Sequence, residues 1–186
     1  MIENIVKGKS GKSYQVFCAR DTKSFNGVFS IITRDSSGKV IEEESLRDVK
    51  IRTGTRLDFQ KSKDWIRGRG GIPEGSYFIW INPKFIRQKG QLDPKGREIG
   101  QAYHVSSNKR DMMTITEVMG IIRSAIMIHP DNDKEGSGGV PGSIGCIVTP
   151  ANKQGRLDFK NIVAKFEEIF NDGVEHLPLT VFRKDI

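Results

Sequence analysis

The chain of 186 residues has only two cysteines, three histidines and no long apolar run. Two cysteines are too few for a disulfide framework, and the cysteines and histidines show no spacing typical of a metal site. No segment approaches the roughly 20 apolar residues that a membrane span needs. The first residues lack the basic start and apolar stretch of a secretory signal. We therefore expect no metal, no cofactor and no membrane span. The chain is either a mature form or is exported by another route, and the sequence does not identify the route.

The overall composition is that of a soluble globular protein, with 36% hydrophobic and 28% charged residues. A chain of this length can bury a core by itself, so we expect a single domain over residues 1–186 without internal repeats. Lys and Arg outnumber Asp and Glu by 30 to 23, which gives a net charge of +7. This charge favours polyanionic partners, which include nucleic acid, anionic lipid surfaces and the bacterial wall.

Short strands separated by turn residues dominate the first 110 residues. Alternating and β-branched runs predict strands at residues 13–18, 27–33 and 76–81. A turn at residues 35–38 predicts a hairpin over about residues 27–44. Residues 86–100 contain three glycines and a proline among many charges, which predicts a surface loop or lid.

The second half of the chain predicts two more strands and one helix. Residues 125–128 are short and apolar, which indicates a buried strand, and the glycine-rich residues 131–142 are expected to be irregular. A last strand is predicted at residues 177–182. The helix should begin near Arg156 or Leu157 and end at residues 171–173, because apolar residues recur there with a helical period: Leu157, Ile162, Val163, Phe166, Ile169 and Phe170. The expected fold class is therefore mainly β, as a β-rich α+β domain.

Cys146 and His129 are the strongest functional signal in the chain. Cys146 follows Ser143, Ile144 and Gly145, so its thiol is expected in a tight turn. His129 lies 17 residues upstream, at the end of the apolar run. Because the reactive form of cysteine is the thiolate, which needs a nearby base, this pair predicts nucleophilic acyl transfer. The sequence therefore points to an enzyme.

Two segments resemble the catalytic domain of L,D-transpeptidases, the YkuD-like family. Residues 72–79, Ile-Pro-Glu-Gly-Ser-Tyr-Phe-Ile, are similar to the family's Thr-Pro-x-Gly-x-Tyr/Phe-x-Ile segment. His129 followed by Ser143–Ile147 is similar to its catalytic motif, so the matched segments lie within residues 72–149. The order of His before Cys differs from papain-like and NlpC/P60-like peptidases, in which Cys comes first. The resemblance implies a YkuD-like β-sandwich or barrel with a helix on its C-terminal side.

The resemblance also implies a role for each residue near the pair. Cys146 would be the nucleophile, His129 the base, and the backbone carbonyl of Pro130 would orient the imidazole ring. The backbone N–H groups of Gly145 and Cys146 would form the oxyanion hole. Ser143 would hydrogen-bond within the turn or with the ring of His129 and contact the substrate.

Other positions near the predicted site are less specific. Tyr103 and His104 could face the same cleft and contact the substrate, although an ordinary half-buried strand explains them equally well. The family commonly has His or Arg at the position of Ile144, and Arg or Asn at the position of Val148. The chain therefore lacks the family's polar substrate clamp at these two positions.

The function implied by the resemblance is cysteine-dependent acyl transfer on peptidoglycan stem peptides, as an L,D-transpeptidase or L,D-carboxypeptidase in the periplasm or wall. A bare catalytic domain of this kind resembles those of phage proteins and secreted antibacterial effectors, which would add an immunity or delivery protein as a partner. This function involves no nucleic acid. The alternatives are a catalytically inert basic module that binds anionic wall polymer or nucleic acid, a family member that has lost activity, and a cysteine amidase of another specificity.

Overall fold

The mainly β class predicted from the sequence is confirmed, with strands throughout and one α-helix in the part of the chain that the structure describes. The structure is a computed structural model, and it describes residues 4–24, 26–55, 72–86, 91–92, 98–99, 101–110, 114–118, 121–124, 126–131 and 142–186. No helix among these residues is both long and apolar enough to cross a membrane.

The helix, α1, spans Lys153–Asn171 and lies near the C-terminal end of the chain. Two short 3-10 helices span Glu42–Glu44 and Pro83–Phe85. The strands are β1 (Val6–Lys7), β2 (Ser13–Asp21), β3 (Asn26–Arg34), β4 (Leu46–Thr55), β5 (Gly75–Trp80), β6 (Gln91–Leu92), β7 (Glu98–Ile99), β8 (Tyr103–Ser106), β9 (Thr114–Val118), β10 (Ile121–Ser124), β11 (Met127–Pro130), β12 (Gly142–Thr149) and β13 (His176–Lys184).

Eight of these strands form a closed barrel in the order β2, β13, β5, β8, β11, β12, β4 and β3, and β3 pairs with β2 to complete it. The pairs β2–β13 and β11–β12 are parallel, and the other barrel pairs are antiparallel. Strand β1 adds to β2, while β6 with β7 and β9 with β10 form two separate ribbons. Closure gives each barrel strand a hydrogen-bonded neighbour on both sides.

The two faces of the barrel wall differ in what they contact. Ile128 of β11 lies opposite both Tyr103 of β8 and Ile147 of β12, so these side chains share a face. All three are buried, and the ring of Tyr103 packs 4.7 Å from the ring of Phe166 on α1. This face forms the core beneath the helix, and the residues that alternate with it, including His129, lie on the opposite face.

Helix α1 begins earlier than the sequence predicted. The side chain of Asn152 accepts a hydrogen bond from the backbone N–H of Gly155 at 2.8 Å, and this cap starts the helix at Lys153. A Cβ atom at Gly155 would lie 2.0 Å from the carbonyl oxygen of Pro150, so only glycine fits this approach. The prediction that Leu157 belongs to the apolar stripe was wrong, because its side chain is 51% exposed.

Other predicted elements match only in part. Strand β3 is present in the hairpin predicted at residues 27–44, but the second arm of that hairpin is an isolated bridge between Arg34 and Val40, followed by the 3-10 turn at Glu42–Glu44. The strand that pairs with β3 is β4, which begins at Leu46, beyond the predicted hairpin. Of the loop predicted at residues 86–100, the structure describes Ile86 and the short strands β6 and β7. Residues 132–141 of the predicted irregular segment lie outside the described residues.

The helix contact with the barrel should dominate stability. We expect Phe166→Ala to lower the free energy of unfolding by about 3–5 kcal/mol, because the ring is buried against both Phe29 and Tyr103. Leu157→Ala on the same helix should change it by less than about 0.5 kcal/mol, because that side chain is mostly exposed. Urea denaturation followed by tryptophan fluorescence measures both. An equal loss in the free energy of unfolding for the two variants would contradict the packing of Phe166 against the barrel.

Candidate active site

Strands β11 and β12 carry the two residues that the sequence singled out. They run parallel as neighbours in the barrel wall, with Ile128 opposite Ile147 and His129 opposite Val148. Cys146 precedes the buried Ile147, so by alternation it shares the outer face of the wall with His129. The pairing therefore brings together two residues that are 17 positions apart in the chain.

The register of β12 is interrupted at the segment that contains Cys146. Gly142 lies opposite Thr55 and Ile147 lies opposite Thr53, so residues 143–146 face a single residue of β4, which is Gly54. The sequence predicted a tight turn here, whereas the structure retains the segment within strand β12 as an irregularity of its register. Such irregularities redirect side chains and are common beside active sites. Cys146 remains partly exposed there.

The imidazole of His129 is held from both sides. Its Nδ1 lies 2.8 Å from the carbonyl oxygen of Pro130, and because that oxygen can only accept, Nδ1 carries the proton. The ring also hydrogen-bonds with the side chain of Cys146. Since Nδ1 is engaged with Pro130, Nε2 is the nitrogen left to face the thiol. The three groups form a chain from carbonyl to imidazole to sulfur.

The environment of His129 favours its charged form. Burial lowers the pKa of His129, but the hydrogen bond and the charge of Cys146, the carbonyl of Pro130 and the carboxylate of Asp131 raise it by more. The net pKa of His129 is therefore above its ordinary value. Asp131, two residues after His129, is also buried. By alternation it lies on the same face of the wall as His129. A cationic ring beside the sulfur stabilises a thiolate at Cys146.

Val148, which stands where the resembled family has a polar residue, packs beside the imidazole. It is fully buried and lies opposite His129 on one side and Arg52 of β4 on the other. Paired residues share a face, so Arg52 belongs to the same surface as His129. Its partly exposed guanidinium makes no hydrogen bond or ion pair with the described residues. Val148 therefore makes the wall beside the ring apolar, and the cation of Arg52 lies one strand further away, on β4.

Sequence reasoning missed Arg52. The alternation of Val49, Lys50, Ile51, Arg52 and Thr53 indicates that the two basic residues point away from the core. It does not indicate that β4 pairs with β12, because that contact joins residues almost 100 positions apart. The sequence therefore indicated that Arg52 points away from the core. It did not indicate that Arg52 lies beside Val148 of β12.

The structure separates Tyr103 from His104, which the sequence analysis grouped together. His104 lies opposite Met127, and therefore on the same face as His129 two residues beyond it. Tyr103 is fully buried on the opposite face, against Phe166. Of the two, the strand directs only His104 towards the face of Cys146. The side chains of Ser143, Ile144 and Gly145 lie outside what the structure describes.

The segment over residues 72–79 lies apart from Cys146. Strand β5 is separated from β12 by β8 and β11. The carbonyl of Ile72 accepts a hydrogen bond from the buried guanidinium of Arg20, and the hydroxyl of Tyr77 donates to the carbonyl of Pro73 at 3.1 Å. The first bond attaches residue 72 to strand β2, and the second joins β5 to the residues that precede it. In this chain the segment supports the barrel wall.

Comparison with known proteins gives no relative: no family model, no curated protein and no solved structure matches this chain. Among the described residues, no group of three or more His, Cys, Asp or Glu side chains is placed to hold a metal ion. The chemistry of the site is therefore argued from its own geometry. That geometry provides a thiol, a base that holds a proton, and a carbonyl that orients the base.

The protonation of His129 should depend on its partner. We expect the NMR titration midpoint of His129 to lie above 6.5 in the native protein and to fall in Cys146→Ala, because removing the sulfur leaves burial, which lowers the pKa, with fewer opposing groups. His176 is the internal control, since burial and Lys109 lower its pKa without Cys146. A titration midpoint for His129 that stays unchanged in Cys146→Ala would contradict the contact between His129 and Cys146.

Proposed function

We propose that the protein is a cysteine-dependent acyltransferase that acts on peptidoglycan stem peptides, as an L,D-transpeptidase or an L,D-carboxypeptidase of the bacterial envelope. The observation that supports the reaction is the chain from the Pro130 carbonyl through His129 to Cys146. A histidine oriented by a third group beside a cysteine is the usual arrangement of an activated thiol nucleophile. The choice of stem peptides comes from the resemblance of residues 72–149 to L,D-transpeptidases.

In the first step, the Cys146 thiolate attacks the carbonyl carbon of the amide between an L-centre and a D-centre. A carbon–sulfur bond forms and the carbonyl oxygen takes the negative charge. As the carbon–nitrogen bond breaks, Nε2 of His129 gives its proton to the departing amine. The terminal D-amino acid leaves and a thioester remains on Cys146. The raised pKa of His129 suits this step, because it favours the protonated ring that donates to the departing amine.

In the second step, His129 takes a proton from the acceptor that attacks the thioester carbonyl. An amine of a second stem peptide gives a cross-link, and water gives a shortened peptide. The carbon–sulfur bond breaks and the Cys146 thiolate is restored beside the imidazolium. Because Nδ1 stays bound to Pro130, the same nitrogen serves as acid in one step and base in the other.

The interrupted register of β12 supports an oxyanion hole at Gly145 and Cys146. Four residues of β12 face one residue of β4, so the ladder cannot use every N–H group of the segment. Backbone N–H groups that are left out of the ladder can donate to an oxyanion that forms at the attacked carbonyl. Glycine permits the close approach of a substrate to this backbone.

Arg52 and His104 are proposed to contact the substrate on either side of the catalytic pair. Stem peptides carry carboxylates, and Arg52 provides a cation on the face of His129, one strand beyond Val148. It would take the part of the polar residue that the resembled family places at Val148. His104 lies on the same face beyond Met127 and would line the opposite side of the bound peptide.

The acyl transfer can be tested directly with disaccharide tetrapeptide from bacterial wall. Intact-mass spectrometry should show a protein adduct together with release of D-Ala or formation of a peptide dimer. Cys146→Ala should abolish all three, because no thioester can form, and His129→Ala should slow turnover at least about 100-fold. The ratio of dimer to shortened peptide distinguishes transfer from hydrolysis.

A binding measurement on the same proteins distinguishes an enzyme from an inert basic module. Binding of native protein and Cys146→Ala to purified wall is measured between 50 and about 300 mM salt. Salt-sensitive binding without any product on tetra- or pentapeptide substrates would contradict the enzyme and favour the module. Product formation that requires Cys146 would exclude the module as the main function.

The role of Arg52 predicts a specific kinetic change. We expect Arg52→Gln to raise KM for the tetrapeptide roughly tenfold with little change in kcat, because the lost hydrogen bond involves a charged group. Lys50→Gln is the matched control, since Lys50 lies on the same face of β4 two residues away and is exposed. A similar rise in both variants would indicate general attraction to charge rather than a contact at Arg52.

A further inference from the structure

A cavity of about 560 Å³ lies on the helix side of the barrel wall, away from Cys146. Its volume is in the range of pockets that hold small ligands. The cavity is bounded by the end of β5, the 3-10 turn after it, the start of β8 and the last turns of α1. The described residues that line it are Ile81, Pro83, Ile86, Gln101, Tyr103, Glu167, Phe170 and Asn171.

Two side chains that line this cavity, Gln101 and Glu167, provide oxygen atoms that can accept hydrogen bonds. Nε2 of Gln101 donates to the hydroxyl of Tyr103 at 3.2 Å, which leaves the Oε1 atom of Gln101 available to accept. The carboxylate of Glu167 makes no hydrogen bond or ion pair with the described residues. Burial raises the pKa of Tyr103 and the charge of Glu167 raises it further.

The described lining of the cavity carries one charged side chain, the carboxylate of Glu167. Among the described lining residues there is no Lys or Arg, although the chain contains 30 of them. The carboxylate of Glu167 therefore favours a cation in this position.

We propose that this cavity binds a primary ammonium group carried on a short aliphatic chain, such as the side chain of lysine or another diamino acid. The ammonium group would pair with Glu167 and donate to Oε1 of Gln101. The aliphatic chain would pack on Ile81, Ile86 and Phe170. A single carboxylate among neutral oxygens suits a monovalent ammonium group better than a divalent metal, which takes more oxygen ligands.

This site is independent of the acyltransferase. Tyr103 faces the cavity and the helix, whereas the neighbouring His104 faces the side of Cys146. The ligand of the cavity is therefore separated from the thiol by the thickness of the barrel wall, and its binding can be measured without turnover.

The probes are n-pentylamine, pentan-1-ol and pentanoate, which share a chain and differ in the charged group. We expect pentylamine to shift the backbone amide signals of residues 101, 103 and 167–171 in ¹⁵N NMR spectra. Pentanol should bind roughly tenfold more weakly and pentanoate should give no saturable shifts, because neither supplies a cation to Glu167. Equal binding of pentanol and pentylamine, or no shift from pentylamine at these amides, would overturn the proposal.

Two neighbouring carboxylates provide a matched pair of variants. Glu167→Gln should weaken pentylamine binding about tenfold. Glu168→Gln should leave it unchanged, because Glu168 pairs with Lys165 at 2.7 Å and does not line the cavity. Both side chains are exposed, so thermal unfolding should confirm that both variants fold. If both variants bound pentylamine equally more weakly, the effect would reflect general attraction between charges. That result would also overturn the proposal.

Discussion

The parallel pairing of β11 with β12 is the constraint on which the candidate site depends. Ile128 and Ile147 face each other in the buried layer, and this contact fixes which residues of the two strands become neighbours on the other face. A slip of one residue would exchange the faces and turn His129 into the core. Because burying an imidazole and exposing an isoleucine both cost free energy, the observed register of β11 with β12 is favoured. The geometry of the candidate site is thus maintained by apolar side chains that lie on the other face of the wall.

The charge state of the site results from a competition between burial and partners. Val148 is fully buried beside His129, and desolvation by such neighbours favours a neutral ring. The sulfur of Cys146, the carbonyl of Pro130 and the carboxylate of Asp131 oppose it and prevail. The pKa of His129 therefore depends on several partners at once, and the loss of any one of them is expected to lower it.

Local patterns predicted several strands, because alternation is visible within a few residues, as at residues 13–18 and 76–81. They did not predict β4, and they predicted a turn in the part of β12 that contains Cys146. The pairing of strands was not visible, and it decides which side chains meet. Helical periodicity placed Leu157 in the core because the pattern alone does not tell where the helix first touches the barrel. For the same reason Arg52 was overlooked and Tyr103 was grouped with His104. The Cys146–His129 pair was predicted from residue types and order, which require no knowledge of pairing.

Strand β8 shows how one element can serve two chemically opposite surfaces. Tyr103 and His104 are adjacent, yet alternation directs the first to a cavity that contains a carboxylate and the second to the face that carries Arg52 and His129. The barrel wall between them is one layer of backbone. The two surfaces are separated by this layer of backbone and by the buried side chains of Ile128 and Ile147. The net charge of +7 therefore describes the chain as a whole, while the burial pattern of individual strands determines the sign of charge that each ligand meets.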